Sequence, residues 1–386
     1  MKKVLFCATV DYHFKAFHIP VLKWFKEQGW EVHVAASGSI NLPYVDKKYN
    51  IPIHRSPLHK QNIVAYRSLK LILDKNNYNI VHCHTPMGGV LTRLASRSER
   101  KKGTKVFYTA HGFHFCQESP MLNWLIYYPI EKMLSSFTDC LITINNEDYS
   151  LANEHNFKAR LIEHVHGVGV DTTVFKPVPI EEKKILKRKL GFKEDDFLMF
   201  YAAEFNRNKN QQMLIRTLAL VKKELPKARL LLAGKGPLLE DCKKLAEKLE
   251  VHHHSSFLGF REEIHEILPA CDLAVASSLR EGLPVNIMEA MACGLPIIAT
   301  INRGHSELVK NNINGYLVPI ENHDMMSKKI IDLANSNNRE NMGNASRKEV
   351  QLYSLNNVSS ELQNLYQTFM AEGQNEAESE YHRSYL

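Results

Sequence analysis

A chain of 386 residues that is 44% hydrophobic and 24% charged carries more apolar side chain than one core usually holds, which excludes general disorder and makes two domains the natural expectation. The formal net charge of +7 lies wholly in the first half: residues 1–175 hold 21 Lys and Arg against 14 Asp and Glu, and residues 176–386 hold 28 of each. With no nucleic-acid motif beside it, that basic excess points to anionic lipid or phosphorylated ligands and away from nucleic acid.

From the N-terminus, MKKVLFCATVDYHF begins like a signal peptide, but Asp11 and His13 interrupt the apolar run and no small-residue cleavage site follows, so it reads as a first buried strand. Apolar runs of strand length then alternate with helix-length amphipathic stretches: 4–10, 31–36, 79–84, 105–111, 139–145 and 161–166. The alternation restarts at 197–204, 228–234, 255–260, 272–278 and 295–300. The expected class is α/β, two Rossmann-like doubly wound parallel-sheet domains facing across a cleft, with ligands at the carboxyl ends of the strands. The Gly- and Pro-bearing stretch 167–182 marks the junction, giving domains over 1–175 and 176–352. A C-terminal helix around 355–370 is expected to return to the first domain, and the polar stretch 371–386 reads as a disordered tail. The seven cysteines are scattered with no CxxC pair, which suits a reducing cytoplasm. No run reaches the roughly 18 apolar residues of a membrane span, so membrane contact is expected to be peripheral.

The most informative segment is SSLREGLPVNIMEAMACGLPIIAT (277–300), a strand end, a Gly/Pro turn, a helix and a further strand. Glu281 falls in the turn and Glu289 about one helical turn into the helix, because Pro284 suits a helix's first turn. Both carboxylates then face one ligand. The helix start, residues 284 to 287, offers backbone amides and the positive end of the macrodipole to a diphosphate, while a carboxylate accepts hydrogen bonds from vicinal sugar hydroxyls.

EGLPVNIMEAMACGLP closely resembles the signature of the retaining glycosyltransferases of family four, two glutamates with seven residues between them in EG(F/L)(G/P)xxxxEAMAxGxP. The resemblance extends to DCLITIN, GVDTTVFKP, LLAGKGP, FLGF and GYLV, and FCATVDYHFKAFHIP and YTAHGFHF are similar to glycosyltransferases of exopolysaccharide and capsule operons, which make capsule and biofilm-matrix polymers. It implies the GT-B fold, a nucleotide-sugar donor with uridine as its base, and transfer of a hexosyl or N-acetylhexosaminyl group with retention to a polyprenyl-diphosphate-linked or glycan acceptor. It also implies that Glu289 binds the ribose hydroxyls and Glu281 the donor sugar, with Gly282, Leu283, Pro284, Val285 and Asn286 lining the donor site. The family pairs an Arg with a Lys five positions on, against the diphosphate. Here Lys209 holds the lysine place, but Glu204 stands where the arginine would be, and Arg207 is the nearest substitute. In AGKGP, Gly234 and Gly236 permit close approach to a ligand or simply make an ordinary strand-to-helix turn.

In the first domain the resemblance sets His111 beside the donor sugar as a catalytic residue. His84 ends its strand with His82 on the same face, and no third metal ligand is suggested nearby, so no metal site is expected. The family's glycine-rich first loop is absent; Asp11, His13 and Lys15 are acceptor-side candidates or solvated loop residues, and His84 is a further acceptor-side candidate. Charge growing on the leaving diphosphate is met by the helix start and Lys209, so the reaction needs no metal or other cofactor. Two aromatic stretches, 14–30 and 119–137, are candidates for a lipid-facing patch that would hold a cytoplasmic protein to the inner membrane surface, or are helices that cover a sheet. The competing readings are a nucleotide-sugar epimerase or a phosphorylase of the same paired sheets, and a catalytically silent nucleotide-sugar-binding subunit, the last motivated by Glu204.

Overall fold

The computed structural model describes residues 1–117 and 119–383, the last twelve as backbone only. The chain forms two compact units: residues 1–168 together with the chain from Val358 onward, and Gly169–Asn357.

The first unit is built on β1 (Lys3–Val10), β2 (Glu31–Ser37), β3 (Lys47–Asn50), β4 (Ile80–His84), β5 (Lys105–Ala110), β6 (Cys140–Thr143) and β7 (Leu161–His164), all parallel, in the order β3-β2-β1-β4-β5-β6-β7. The inner positions of β1 and all of β4 are buried, as expected for central strands covered by helices on both faces. Two apolar layers result, one containing Phe6, Phe14, Phe25 and Trp30, the other Leu69, Leu73, Tyr108 and Phe115. β3, with sequence KKYN, is a polar edge strand that carries no apolar run to announce it.

The helix Leu355–Arg383 completes this unit: Val358, Tyr366 and Phe369 lie in its first apolar layer. The expected irregular tail from 371 instead continues as helix to Arg383, through Ala, Glu and Gln residues of good helix propensity, and residues 384–386 lie outside the described residues. Tyr366 is fully buried, stacks on Trp24, and shares a 2.6 Å hydrogen bond with His82 Nδ1, while His82 Nε2 meets Thr109 Oγ1 at 2.8 Å. Tyr366→Phe leaves a buried ring nitrogen without a partner, and thermal unfolding is expected to show a loss of about 1–3 kcal/mol.

The second unit contains β8 (Phe197–Ala202), β9 (Ala228–Ala233), β10 (Ser255–Gly259), β11 (Leu273–Ala276), β12 (Ile297–Thr300) and β13 (Gly315–Val318), parallel in the order β10-β9-β8-β11-β12-β13. The division between units falls at 168/169 and not at the expected 175/176. Residues 170–175 are tied to the second unit by the Val170–Ser354 bridge and by Arg347, whose guanidinium donates to the carbonyls of Thr172, Phe175 and Ala292. In each unit the strand order reverses direction once, between β1 and β4 and between β8 and β11, and such switch points open a crevice at the carboxyl ends of the strands.

Candidate active site

In the second unit the loops leaving β8 and β11 meet at the switch point. Leu279 N donates to Asn208 O at 2.7 Å, Asn208 Nδ2 to Arg280 O at 2.9 Å, and Ser277 Oγ to Lys209 O at 2.8 Å. This lacing sets Lys209 Nζ 2.5 Å from Glu281 Oε1, both side chains largely buried. An ammonium has three hydrogens, so one can hold Glu281 while others remain for a ligand anion. Arg207 is exposed and has no hydrogen bond or ion pair among the described residues, and Glu204 is exposed and accepts from Asn206 Nδ2. The structure brings Lys209, and not Arg207, to the glutamate.

After the turn at Gly282 and Leu283, the helix Val285–Ala292 begins with Pro284 as its flanking residue and no side-chain cap. The expected run of free amides at 284 to 287 is shorter than that. Proline has no N–H, and Ile287 N already reaches Pro284 O at 3.2 Å and Asn286 Oδ1 at 3.0 Å, so the first-turn donors left for a ligand are those of Val285 and Asn286. Asn286 Nδ2 anchors the helix start to β8 through Ala202 O at 2.9 Å. Glu289 follows one turn in, and burial pushes its carboxyl up to about 7.

Gly234 and Gly236 have a packing role that requires no ligand. A side chain on Gly234 would begin 2.0 Å from Ala203 O and one on Gly236 2.4 Å from Phe205 O, both at positive φ, so the loop after β9 lies flat against the loop that carries Lys209. Three neighbours went unread in the sequence: Arg303 Nε donates to Glu281 O at 3.1 Å, Gly304 leaves no room for a Cβ beside Glu281, and buried His305 hydrogen-bonds Thr300 O and Asn302. They follow β12, and only the signal of a strand end beside the glutamate turn would have found them.

In the first unit, the residues after β1 behave unequally. Asp11 is buried and spent on Lys48 Nζ at 2.5 Å and Ile40 N at 2.7 Å, so it anchors loops and is not an exposed acceptor-side group. Lys15 is exposed. His13 turns inward to His18, with Nε2 atoms 3.0 Å apart, and His84 Nδ1 lies 3.4 Å from His111 Nε2. Burial holds the His13 imidazole down at about 4, and burial with mutual repulsion holds those of His18, His84 and His111 well below the usual value, so all four are neutral at pH 7.

The family description "Glycosyl transferases group 1" matches residues 182–349, and "Glycosyl transferase 4-like" matches residues 3–145. EpsD of Bacillus subtilis (strain 168), which carries a glycosyltransferase assignment, is 51% identical over 371 residues, covering 96% of this chain and 97% of EpsD. The chain belongs to the family-four-like, group 1 glycosyltransferases. An Escherichia coli UDP-Gal:alpha-D-GlcNAc-diphosphoundecaprenol alpha-1,3-galactosyltransferase is 29% identical over 267 residues, 68% of each chain. Among solved structures, HepE of Anabaena in complex with UDP-glucose superposes with a TM-score of 0.77 at 18% identity, over 95% of this glycosyltransferase and 100% of that chain, and has the GT-B fold.

Proposed function

We propose that this glycosyltransferase moves a hexosyl or N-acetylhexosaminyl group from a UDP-sugar, with retention, to a polyprenyl-diphosphate-linked glycan during exopolysaccharide synthesis. The observation that carries the reading is the Lys209–Glu281 pair beside the uncapped helix start at Val285, with Glu289 one turn further on. In that reading the amides of Val285 and Asn286 and the Lys209 ammonium hold the diphosphate, Glu289 accepts from the ribose hydroxyls, and Glu281 accepts from the sugar hydroxyls. As the bond from the anomeric carbon to the diphosphate lengthens, negative charge grows on the departing oxygen, where Lys209 and the helix dipole already point. A departing phosphate oxygen then takes the acceptor's proton on the same face, which yields retention without a carboxylate nucleophile. The residues named meet the leaving-group charge themselves, so transfer requires no metal.

Uridine is supported by two similarities: the named donor of the E. coli relative and the UDP-glucose bound to HepE. The E. coli relative's name also supports the lipid-linked acceptor. The test is a screen of UDP-, GDP- and ADP-sugars for thermal stabilisation, followed by transfer assays on diphosphoundecaprenol-linked sugars with the donors that bind. Stabilisation by UDP-sugars and an acceptor-dependent release of UDP are expected. Stabilisation by none of them would sink the reading, and conversion of the donor with no acceptor present would favour an epimerase.

Peripheral membrane contact belongs to the same proposal, on a narrower base than the sequence suggested. The stretch 14–30 is not a lipid face: Phe14, Leu22, Trp24 and Phe25 are buried in the apolar layer of the first sheet. The helix Met121–Ser135 differs, since Trp124, Tyr127 and Tyr128 pack inward while Met121, Leu122, Leu125, Ile126, Ile130 and Met133 are exposed at helical spacing. No helix among the described residues is long and apolar enough to cross a membrane. Replacing Leu122, Leu125 and Ile126 by Glu is expected to weaken sedimentation with phosphatidylglycerol vesicles at least about tenfold, because each inserted side chain contributes on the order of 1.5–3 kcal/mol.

A further inference from the structure

The sequence offered His84 and His82 as a bare pair with no third ligand. Their ring centroids stay 4.1 Å apart, but the fold gives them different partners and recruits others. His82 is consumed by Tyr366 and Thr109, whereas His84 is joined by His13 and His18 from the segment after β1 and by His111 from the end of β5. One ring nitrogen from each of the four lies within 4.8 Å of all the others. His18 and His84 are buried and their ring centroids lie 4.1 Å apart, while His13 and His111 are partly accessible and close the cluster on the solvent side.

Hydrogen bonding within the cluster does not account for this gathering. The four rings form two pairs, 3.0 Å and 3.4 Å across, and His84 Nε2 is buried with no partner among the described residues. Four imidazoles from three chain segments have been desolvated together, and no carboxylate is hydrogen-bonded or ion-paired to any of them in the described structure. Ligands of a tetrahedral zinc ion with nitrogen bonds of about 2.0–2.1 Å stand about 3.4 Å apart, the separation of the His84–His111 pair and somewhat more than that of the His13–His18 pair. The remaining separations, up to 4.8 Å, must shorten when an ion binds. The backbone beside the cluster is held tightly: Thr85, immediately after His84, has a φ of 63°, rare for a β-branched residue, and is fixed by Thr9, whose N–H and Oγ1 meet Thr85 Oγ1 at 3.0 and 2.8 Å.

We propose that His13, His18, His84 and His111 form a binding site for one divalent cation of the zinc class, which pins the segment after β1 to the ends of β4 and β5. An all-imidazole set selects zinc, copper or nickel over magnesium or calcium, whose preferred ligands are oxygens. The segment concerned, residues 11–20, has no glycine, and the ion would fix it by coordination.

The test uses the full-length chain without a histidine tag, stripped with chelator, dialysed, and titrated with Zn²⁺ or Co²⁺. One equivalent is expected to bind, with the strong visible absorption of tetrahedral Co²⁺. It should be lost in His18→Gln and in His84→Gln, and kept when the exposed run His252, His253 and His254 is changed to Asn. No binding, binding unchanged by both first substitutions, or loss only on changing 252–254 would overturn the site. Should His18→Gln or His84→Gln fail to fold, X-ray absorption on the zinc-loaded unaltered chain decides. Four nitrogen scatterers at about 2.0 Å support the proposal, and a sulfur-containing or mainly oxygen shell overturns it.

Discussion

Glu289→Gln is expected to make the protein more stable and to abolish donor binding at once. Burial raises this carboxyl from 4.5 to about 7, so at pH 8 the folded protein carries a desolvated charge that costs on the order of 3 kcal/mol. The sign follows from proton linkage: the folded state holds the proton more tightly than the unfolded state, so stability falls as pH rises from about 4.5 through 7, and the full penalty is present above that. Gln carries no charge to desolvate. Melting curves should therefore show the variant several degrees above the parent at pH 8 and level with it near pH 4. In the proposed reaction the ribose hydroxyls donate to the ionised carboxylate, so donor affinity of the parent should rise about tenfold from pH 6 to pH 8 as the ionised fraction grows from roughly a tenth to nine tenths. The variant should show neither that rise nor a UDP-sugar thermal shift. A variant that melts lower at pH 8 and still binds donor would remove Glu289 from the site.

The second large effect is expected at Lys209. Its ammonium is held by Glu281 before any donor arrives, which places positive charge at the helix start without reorganisation during the reaction. Lys209→Ala removes a donor aimed at the leaving group and strands a mostly buried carboxylate. A loss of about 10²–10³ in kcat is expected, read as UDP released with saturating donor and acceptor. Arg207→Ala, which alters an exposed cation, should change kcat by less than about threefold. If the two variants were impaired alike, the diphosphate would be shared between them, and Arg207 would have taken over the place that Glu204 vacates.

Much of this arrangement could be read from the chain because its signals are local. Buried parallel strands are continuous apolar runs, and eleven of the thirteen strands among the described residues are visible that way; β3 (KKYN) is not, being a polar edge, and β13 (GYLV) stands out only through the family resemblance. Glu281, Pro284 and Glu289 lie within nine residues, so turn and helix geometry settles their relation. Features assembled from distant segments were not visible. Nothing near Asp11 in sequence announces Lys48 or Ile40, nothing near His84 announces His18, and the attachment of residues 170–175 to the second unit depends on Arg347, far along the chain. Only the fold knows these partners.

The helix that begins at Leu355 also imposes an order on synthesis. A ribosome reading this message releases β1 to β7 early, but Tyr366, the hydrogen-bond partner of His82 and the stacking partner of Trp24, is made only after the whole second unit. Until then that sheet's apolar face is only partly covered, and the second unit, contiguous from Gly169 to Asn357, can finish folding before the first one does. The first half of the chain thus waits unfinished through the translation of the second, and messages cut short before codon 366 should yield chaperone-bound or degraded polypeptide in which only the second unit is whole.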